Sequence, residues 1–309
     1  MNTVPDIEPN WEWYRSFVAV LEAGSLSAAG RAMGLTQPTV GRHIDSLEAA
    51  LRLKLFTRSF DGFAPTDAAL ELKPYAAQLS ATAAALCRVA SSQGDGVRGT
   101  VRLTASEVVG VEVLPPLLAT LREQHPRLVV ELVLSNKVDD LLHREADIAV
   151  RMVRPEQDAL LAKRIGGIEL GLHAHKRYLA AHGTARTMAE LAQHTLIGFD
   201  TETAYIRKLR EQFPMITRAA FALRADSDLA NLAAIRAGYG IGICQVPLAT
   251  RDPSLVRILK SAFSLTLETW VAMHADLRDS PRCAVTFAAL ATGLGAYIKG
   301  ASVPARRAT

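Results

Sequence analysis

The sequence predicts a mixed α/β chain: an N-terminal helix-turn-helix with a wing-like turn, a long alanine-rich helix, and a C-terminal region of two α/β lobes. Three observations predict it. Apolar residues recur at helical spacing through the first ninety residues. Capping residues and a glycine pinch the stretch LSAAGRAMGLTQPTVGRHIDSLE, residues 26–48, into two short helices. After Gly99, short β-rich runs alternate with helical ones, the pattern of layered α/β structure.

The first helix is predicted over residues 11–23, where Trp11, Tyr14, Phe17, Val18 and Leu21 form one apolar stripe and Gly24 ends it. Ser27 or Ser25 can cap the second helix, with Leu26 placed as a staple. Ala28, Ala29, Ala32 and Met33 give that helix a small-sided surface for close packing. Gly34 suits the position after a C-cap, Thr36 can cap the third helix, and Pro38 is tolerated in a first turn whose amides lack acceptors. In the third helix Val40, Ile44, Leu47 and Leu51 point inward, while Gln37, Thr39, Arg42 and His43 lie largely off that stripe.

Such a face fits a helix that enters a DNA major groove. Gln matches adenine edges, Arg matches guanine edges or phosphate, and Thr can meet phosphate or a thymine methyl. The helix N-terminus also favours phosphate oxygens. Periodicity alone favours that reading over its rival, a small helical bundle with an ordinary polar face. Phe56 is predicted to pack on the three helices, and residues 58–63 to turn around Asp61-Gly62 as a short wing. There Arg58 is either a backbone clamp or a solvated loop charge.

Charge helps only locally. The chain carries 35 Lys/Arg against 31 Asp/Glu, but its first ninety residues hold 8 Lys/Arg against 9 Asp/Glu. Within residues 31–58, however, Arg31, Arg42, Arg52, Lys54 and Arg58 face only Asp45 and Glu48. No apolar run reaches about 18 residues, so no membrane span is expected. The acidic opening MNTVPDIEPNWEW is unlike a secretory signal, and a cytoplasmic location is expected. Cys87, Cys244 and Cys283 are too widely spaced for a metal site or disulfide framework and are expected to be small buried hydrophobes.

The run SFVAVLEAGSLSAAGRAMGLTQPTVGRHIDSLEAALRLKLF followed by TRSFDGFAPTDAALELKPYAAQL resembles the LysR-type transcriptional regulators over about residues 13–90. The resemblance implies a winged helix-turn-helix joined by a dimerising linker helix to an effector-sensing, periplasmic-binding-protein-like domain. It implies DNA contacts from Gln37, Pro38, Thr39 and Arg42, with Ser27 near the backbone and Arg58 in the wing. The chain departs from the family pattern at four places. Gly41 stands where a Ser often precedes the recognition-helix Arg, and Gly30 where a charged or alanine-like residue is usual. Phe60 and Asp61 replace basic wing residues, and Ala69 replaces a frequent glycine.

Thr66 can cap the linker helix, whose Leu72, Leu79, Leu86, Ala76, Ala83 and Ala90 repeat near seven-residue spacing. That stripe can pair two copies or pack on the chain's own domains; Pro74 should kink the helix or break a turn. The expected organisation is residues 11–66 for the winged helix-turn-helix and 67–91 for the linker. A hinge at 92–99, an effector domain at 100–300 with a second lobe at about 165–265, and a mobile basic tail at 301–309 complete it.

In the C-terminal region VRLTAS, LVVELVLS and DIAVRMV read as strands of the first lobe, with VLPPLLATLREQHP and VDDLLHR as helices. IELGLHAH, TLIGFD and IGICQVP read as strands of the second lobe. TWVAMHAD and PRCAVTFAALATGLGAYIKG then return to the first. A cleft between such lobes is a natural small-molecule site and collects residues at strand ends. Its candidates are Ser106, Ser135, Asn136, Arg151, Phe199, Asp200 and Asp226. Arg151 can bind a carboxylate or pair with a neighbouring acid, and Ser106 can serve a ligand or cap a helix.

Other chemistries find little support. The glycines of RAGYGIGIC follow a helix and precede a strand, the reverse of a dinucleotide fingerprint. His125, His143, His173 and His175 lack a zinc ligand set, and there is neither a nucleophile elbow nor a carboxylate pair. No catalytic residue, metal or cofactor is expected. The reading is a regulator that binds double-stranded DNA as a homodimer or homotetramer and answers a small-molecule effector. Its rivals are a solute-binding module whose N-terminal helices mediate assembly and, last, a metabolic enzyme.

Overall fold

A computed structural model describes residues 8–59, 62–92, 96–136, 146–155 and 159–300. They fall into two compact units, one running to Cys87 and one from Arg88 onward.

In the N-terminal unit α1 (Trp11–Ala23) begins at Asn10, whose side chain accepts from the Glu12 amide, and stops at Gly24, φ 70°. α2 (Leu26–Met33) is capped by Ser25, whose hydroxyl accepts from the Ala28 amide at 3.2 Å. Ser27 is therefore inside the first turn and not the cap, and Leu26 is the first helical residue, not a staple ahead of it. Gly30 has a steric reason: a Cβ there would sit 2.8 Å from the Leu35 carbonyl oxygen. α3 (Gln37–Leu51) is capped by Thr36 and carries Pro38 in its first turn. Val40, Ile44 and Leu47 are fully buried against Phe17, Val20 and Ala29, each contributing about 1.5–3 kcal/mol.

The wing is the hairpin of β1 (Phe56–Ser59) and β2 (Gly62–Pro65), paired from Phe56↔Pro65 to Ser59↔Gly62. Phe56 meets Phe17 edge-on at 5.8 Å and stacks on Phe63 at 4.9 Å. Glu48, near the end of α3, is buried and organises the entry to β1. It accepts from the Leu55 and Phe56 amides at 2.8 and 3.2 Å and pairs with Lys54.

α4 (Asp67–Ser91) opens on Thr66, whose hydroxyl accepts from the Ala69 amide and donates to the Lys54 carbonyl. The helix is continuous through Pro74, so of the two expected effects, a kink or a broken turn, the broken turn does not occur. Proline removes one i→i−4 donor there, and the flanking turns hold. Ala69 and Ala76 pack into the N-terminal core, whereas Tyr75, Leu79, Leu86 and Val89 are exposed. Cys87 is exposed as well, correcting its expected burial.

The second unit runs β3 (Gly99–Ala105), a π-helical turn at Val109–Val113, α5 (Leu114–Gln124), β4 (Leu128–Leu134), β5 (Ile148–Arg151) and β6 (Leu160–His175). It continues with α6 (Lys176–His182), β7 (Leu196–Gly198), α7 (Ala204–Gln212), β8 (Phe221–Arg224), α8 (Asp228–Arg236), β9 (Gly242–Gln245) and α9 (Val246–Ala249). β10 (Leu255–Ile258), β11 (Leu265–His274) and α10 (Pro281–Ile298) complete it. The expected helix at VDDLLHR, residues 93–95 of the hinge, and the tail lie outside the described residues.

The main sheet has the order β10-β6-β11-β5-β3-β4, with β9 also on β6. β3 is parallel to β4 and β5 and makes the first lobe with α5 and α10 packed on it. β7 and β8 pair in parallel in the second lobe, and Leu196 bridges to Ile241. β6 serves both lobes: residues 160–170 pair with β11, and residues 170–175 pair with β9 and β10. The sequence suggested only the later part of β6, because Lys163, Arg164, Gly166 and Gly167 interrupt its apolar pattern. Two cores result, one around Leu103, Ile148, Val271 and Leu294, the other around Tyr178, Phe221, Ile258 and Phe263.

Candidate functional site

On the N-terminal unit, Gln37, Pro38 and Arg42 are exposed on the first two turns of α3, and Thr39 is half-buried. Thr39 Oγ1 lies 2.8 Å from Thr36 Oγ1 and accepts from Arg42 Nη2 at 3.5 Å, so it steadies the guanidinium one turn on. On α2 the exposed Ser27 accepts from Arg31 Nη1 at 2.9 Å. His43 is placed differently: its Nδ1 lies 2.7 Å from the hydroxyl of the buried Ser16, which ties α3 to α1. Arg58 is opposite Phe63 in the wing register, and its side chain lies outside the described residues. Beside Arg42, a Cβ on Gly41 would touch only Leu26, at 3.8 Å. The fold leaves room there for a side chain.

The second unit holds a cavity of about 690 Å3. Ser106 at the end of β3, Ser135 and Asn136 after β4, Arg151 at the end of β5, Phe199 after β7 and Asp226 before α8 all line it. Asp200 does not. It turns to Arg218, 2.6 Å away and 18 residues along the chain, on a segment separate from the strand end that carries Asp200. Arg151 is buried, donating to Thr104 Oγ1 at 3.0 Å and to the Val150 carbonyl at 3.1 Å. Asn136 Oδ1 accepts from the Glu107 amide at 3.3 Å. Bonds from the Thr201 hydroxyl and amide and from the Asp200 amide hold the Asp226 carboxyl below its usual range.

Most of the wall is apolar, including Leu170, Leu196, Ile206, Phe221, Leu232 and Leu248. The remaining polar lining includes Asp228 and Asn231 on α8 and Gln245 at the end of β9, none of which the sequence singled out. In sequence, Asp228 reads as a first-turn helix residue and Asn231 as its neighbour one turn on. Gln245 Oε1 accepts from the Tyr297 hydroxyl at 2.6 Å. Burial pushes the thiol of the cavity-lining Cys244 up to about 12, so it stays protonated and unreactive.

The two ends of α8 also join the second lobe to the first through side chains. Glu112 receives two bonds from Arg236, at 2.6 and 2.9 Å, and Glu107 accepts from the Ser227 hydroxyl at 2.9 Å. The Arg236 bonds hold the Glu112 carboxyl below its usual range despite partial burial. No group of three or more His, Cys, Asp or Glu suited to a metal ion occurs among the described residues.

Residues 11–70 match the family model described as bacterial regulatory helix-turn-helix protein, lysR family, and residues 94–295 match that of the LysR substrate binding domain. A probable HTH-type transcriptional regulator LtrA of Klebsiella pneumoniae is 28% identical over 82% of this chain and 80% of its own length. HTH-type transcriptional regulator CrgA of Neisseria meningitidis serogroup C is 27% identical over 62% of this chain and 64% of its own. The full-length Vibrio cholerae virulence activator AphB has the same fold, with a TM-score of 0.59 at 21% identity, over 92% of this chain and 99% of that one. So does full-length CbnR complexed with its target DNA, with a TM-score of 0.64 at 21% identity, over 90% and 97%.

Proposed function

The chain belongs to the LysR family of transcriptional regulators, and from that premise we propose that α3 reads double-stranded DNA while the cavity of the second unit takes a small-molecule effector. The family consists of regulators and not enzymes. One observation carries the DNA reading: Gln37, Pro38 and Arg42 stand exposed together on the first turns of a helix whose opposite face is the core. Gln37 and Arg42 are suited to base edges and phosphates, Pro38 to an apolar base contact, and the Gln37 amide to phosphate, the Thr39 amide being taken by the Thr36 cap. We assign Ser27, Thr39 and Arg58 supporting contacts to the DNA backbone. His43, engaged by Ser16, is assigned a positioning role.

The exposed Tyr75, Leu79, Leu86 and Val89 on α4 support pairing of two copies, as a homodimer or within a homotetramer. Two copies match two half-sites and multiply specificity. No helix among the described residues is long and apolar enough to cross a membrane, and action on DNA points to the cytoplasm. An effector alters the DNA-bound state only if it binds two arrangements of the protein unequally.

Footprinting of the gene's own upstream region tests the reading, with sequence-selective protection expected. Arg42→Ala should weaken that binding roughly tenfold or more with helicity unchanged, since a bidentate base contact carries about 1–3 kcal/mol. If the folded protein protects no sequence selectively, the DNA reading fails and the assembly role for these helices gains.

A further inference from the structure

The α8 wall of the cavity carries two acceptors, the Asp228 carboxyl and Asn231 Oδ1, that accept no hydrogen bond among the described residues. Asp228, in the first turn of α8, lines the cavity half-buried and accepts no hydrogen bond among the described residues. One turn on, Asn231 is 7% exposed and lines the same cavity. Its Nδ2 donates to the Ala225 carbonyl at 3.1 Å, which fixes the amide's orientation and leaves Oδ1 buried with no partner. Residues three apart lie on one helix face, so both acceptors belong to one patch. A first-turn aspartate interacts favourably with the helix dipole, but that satisfies neither its own lone pairs nor Asn231 Oδ1. Leaving a buried acceptor unmade costs about 1–3 kcal/mol.

Charge narrows the missing group. Burial, with Glu107 nearby, pushes the Asp228 carboxyl above its usual range. Glu107 is already engaged by Ser227. Arg151 is the one cation among the lining residues, and it is held by Thr104 on the first-lobe side. A neutral donor would satisfy the hydrogen bonds but leave this charge imbalance. A cation with several N–H groups answers both.

We propose that the cavity recognises a ligand carrying an ammonium or amidinium group on an apolar body, with the cation held between Asp228 and Asn231. The proposal rests on the reading of this cavity as the effector site. The apolar body fills the space bounded by Leu196, Ile206, Phe221 and Leu232, and the cationic end sits against α8. Specificity follows from the pairing: an anion of the same shape meets Asp228, and an alcohol meets it with a single donor.

The test uses the full chain and three probes of one shape: 4-phenylbutylamine, 4-phenylbutanol and 4-phenylbutanoate. Affinities come from calorimetry, and the site from methyl signals of Leu232 and Leu248. The amine should bind roughly tenfold or more tightly than the alcohol and move those methyls, as expected for a charge-assisted bond. Asp228→Asn, which keeps the shape, should remove most of that advantage while alcohol binding changes less than about twofold. If the alcohol or carboxylate moves the cavity methyls as well as the amine does, or Asp228→Asn leaves the amine's preference intact, the cation proposal is overturned and the cavity stands. If no probe moves the methyls at millimolar concentration, the proposal and the effector reading of the cavity fall together.

Discussion

Among the described residues, the two units differ in how completely their buried polar groups are met. In the N-terminal unit the buried polar residues among those described are Ser16 and Glu48, and both are satisfied, Ser16 by His43 and Glu48 by two amides and Lys54. In the second unit Asn231 Oδ1 and the Nε and Nη2 of Arg282 are buried without partners among the described residues. Arg282 is 1% exposed and, with Arg88, shares the single carboxylate of Asp147. Arg88 approaches it bidentately at 3.0 and 3.1 Å, and Arg282 at 3.7 Å. Satisfied groups of the first kind specify a shape. Unsatisfied groups of the second kind retain binding capacity, and that is where a ligand or a change of conformation can act.

The largest test of this contrast is Asp147→Ala. It strands two guanidinium groups in the interior, and breaking a buried pair typically costs about 3–5 kcal/mol. Urea unfolding of the full chain should show that loss in the transition of the second unit, with little change in the first. A loss below about 1 kcal/mol would mean that water reaches Arg88 and Arg282.

The next test sets two carboxylates against each other. Glu48→Gln should destabilise the N-terminal unit by about 1.5–3 kcal/mol, because hydrogen bonds to a charged group are lost or weakened. Asp228→Asn, removing a half-buried charge that has no ion-pair partner among the described residues and only the helix dipole in its favour, should leave the second unit unchanged or slightly more stable in the absence of ligand. Acid sharpens the comparison. Burial tends to raise the Glu48 carboxyl, but bonds from Lys54, Leu55 and Phe56 hold it below its ordinary value. Its folded value is thus lower than its unfolded one. The stabilisation is full above the unfolded value of about 4.3 and is lost as pH falls through the folded one. Asp228 has the opposite sign: its raised value makes ionisation oppose folding as pH climbs. Equal sensitivity of Glu48→Gln and Asp228→Asn to urea would break the distinction.

The smallest effect is expected at Gly41. With only Leu26 within contact distance, Gly41→Ala should raise the stability of the N-terminal unit by about 0.5–1 kcal/mol in thermal unfolding. Gly41→Ser should be tolerated and places a hydroxyl beside Arg42, measurable as a shift in operator preference by competition footprinting. A destabilised Gly41→Ala would show that α3 needs its glycine for backbone reasons.

How much was legible in the sequence also divides between the units. Gly34, Thr36 and the spacing of Val40, Ile44 and Leu47 are local signals, and the helices form where those signals stand. The choice between Ser25 and Ser27 as cap needed the structure, since both residues have the same chemistry two positions apart. In the second unit, strand ends pointed to Ser106, Ser135, Asn136, Arg151, Phe199 and Asp226 on the cavity wall, but not to its apolar majority. Asp200 escaped because its partner Arg218 lies on a separate segment. Asp228 and Asn231 escaped because polar residues at a helix start already have a sufficient local explanation. Cys87 was misplaced because an alanine-rich helix carries too weak a stripe to phase burial.

The shared strands bear on how the second unit can respond. β6 continues from one lobe into the other, and its first part is laced to β11 by a ten-residue antiparallel ladder with a register shift at Thr269/Trp270. Sliding one strand past the other by a residue would turn every side chain to the wrong face. Translation is therefore blocked, and the soft coordinate left to the lobes is torsion about this two-stranded ribbon. A small molecule between them need supply no large displacement. It has only to choose among angles of twist.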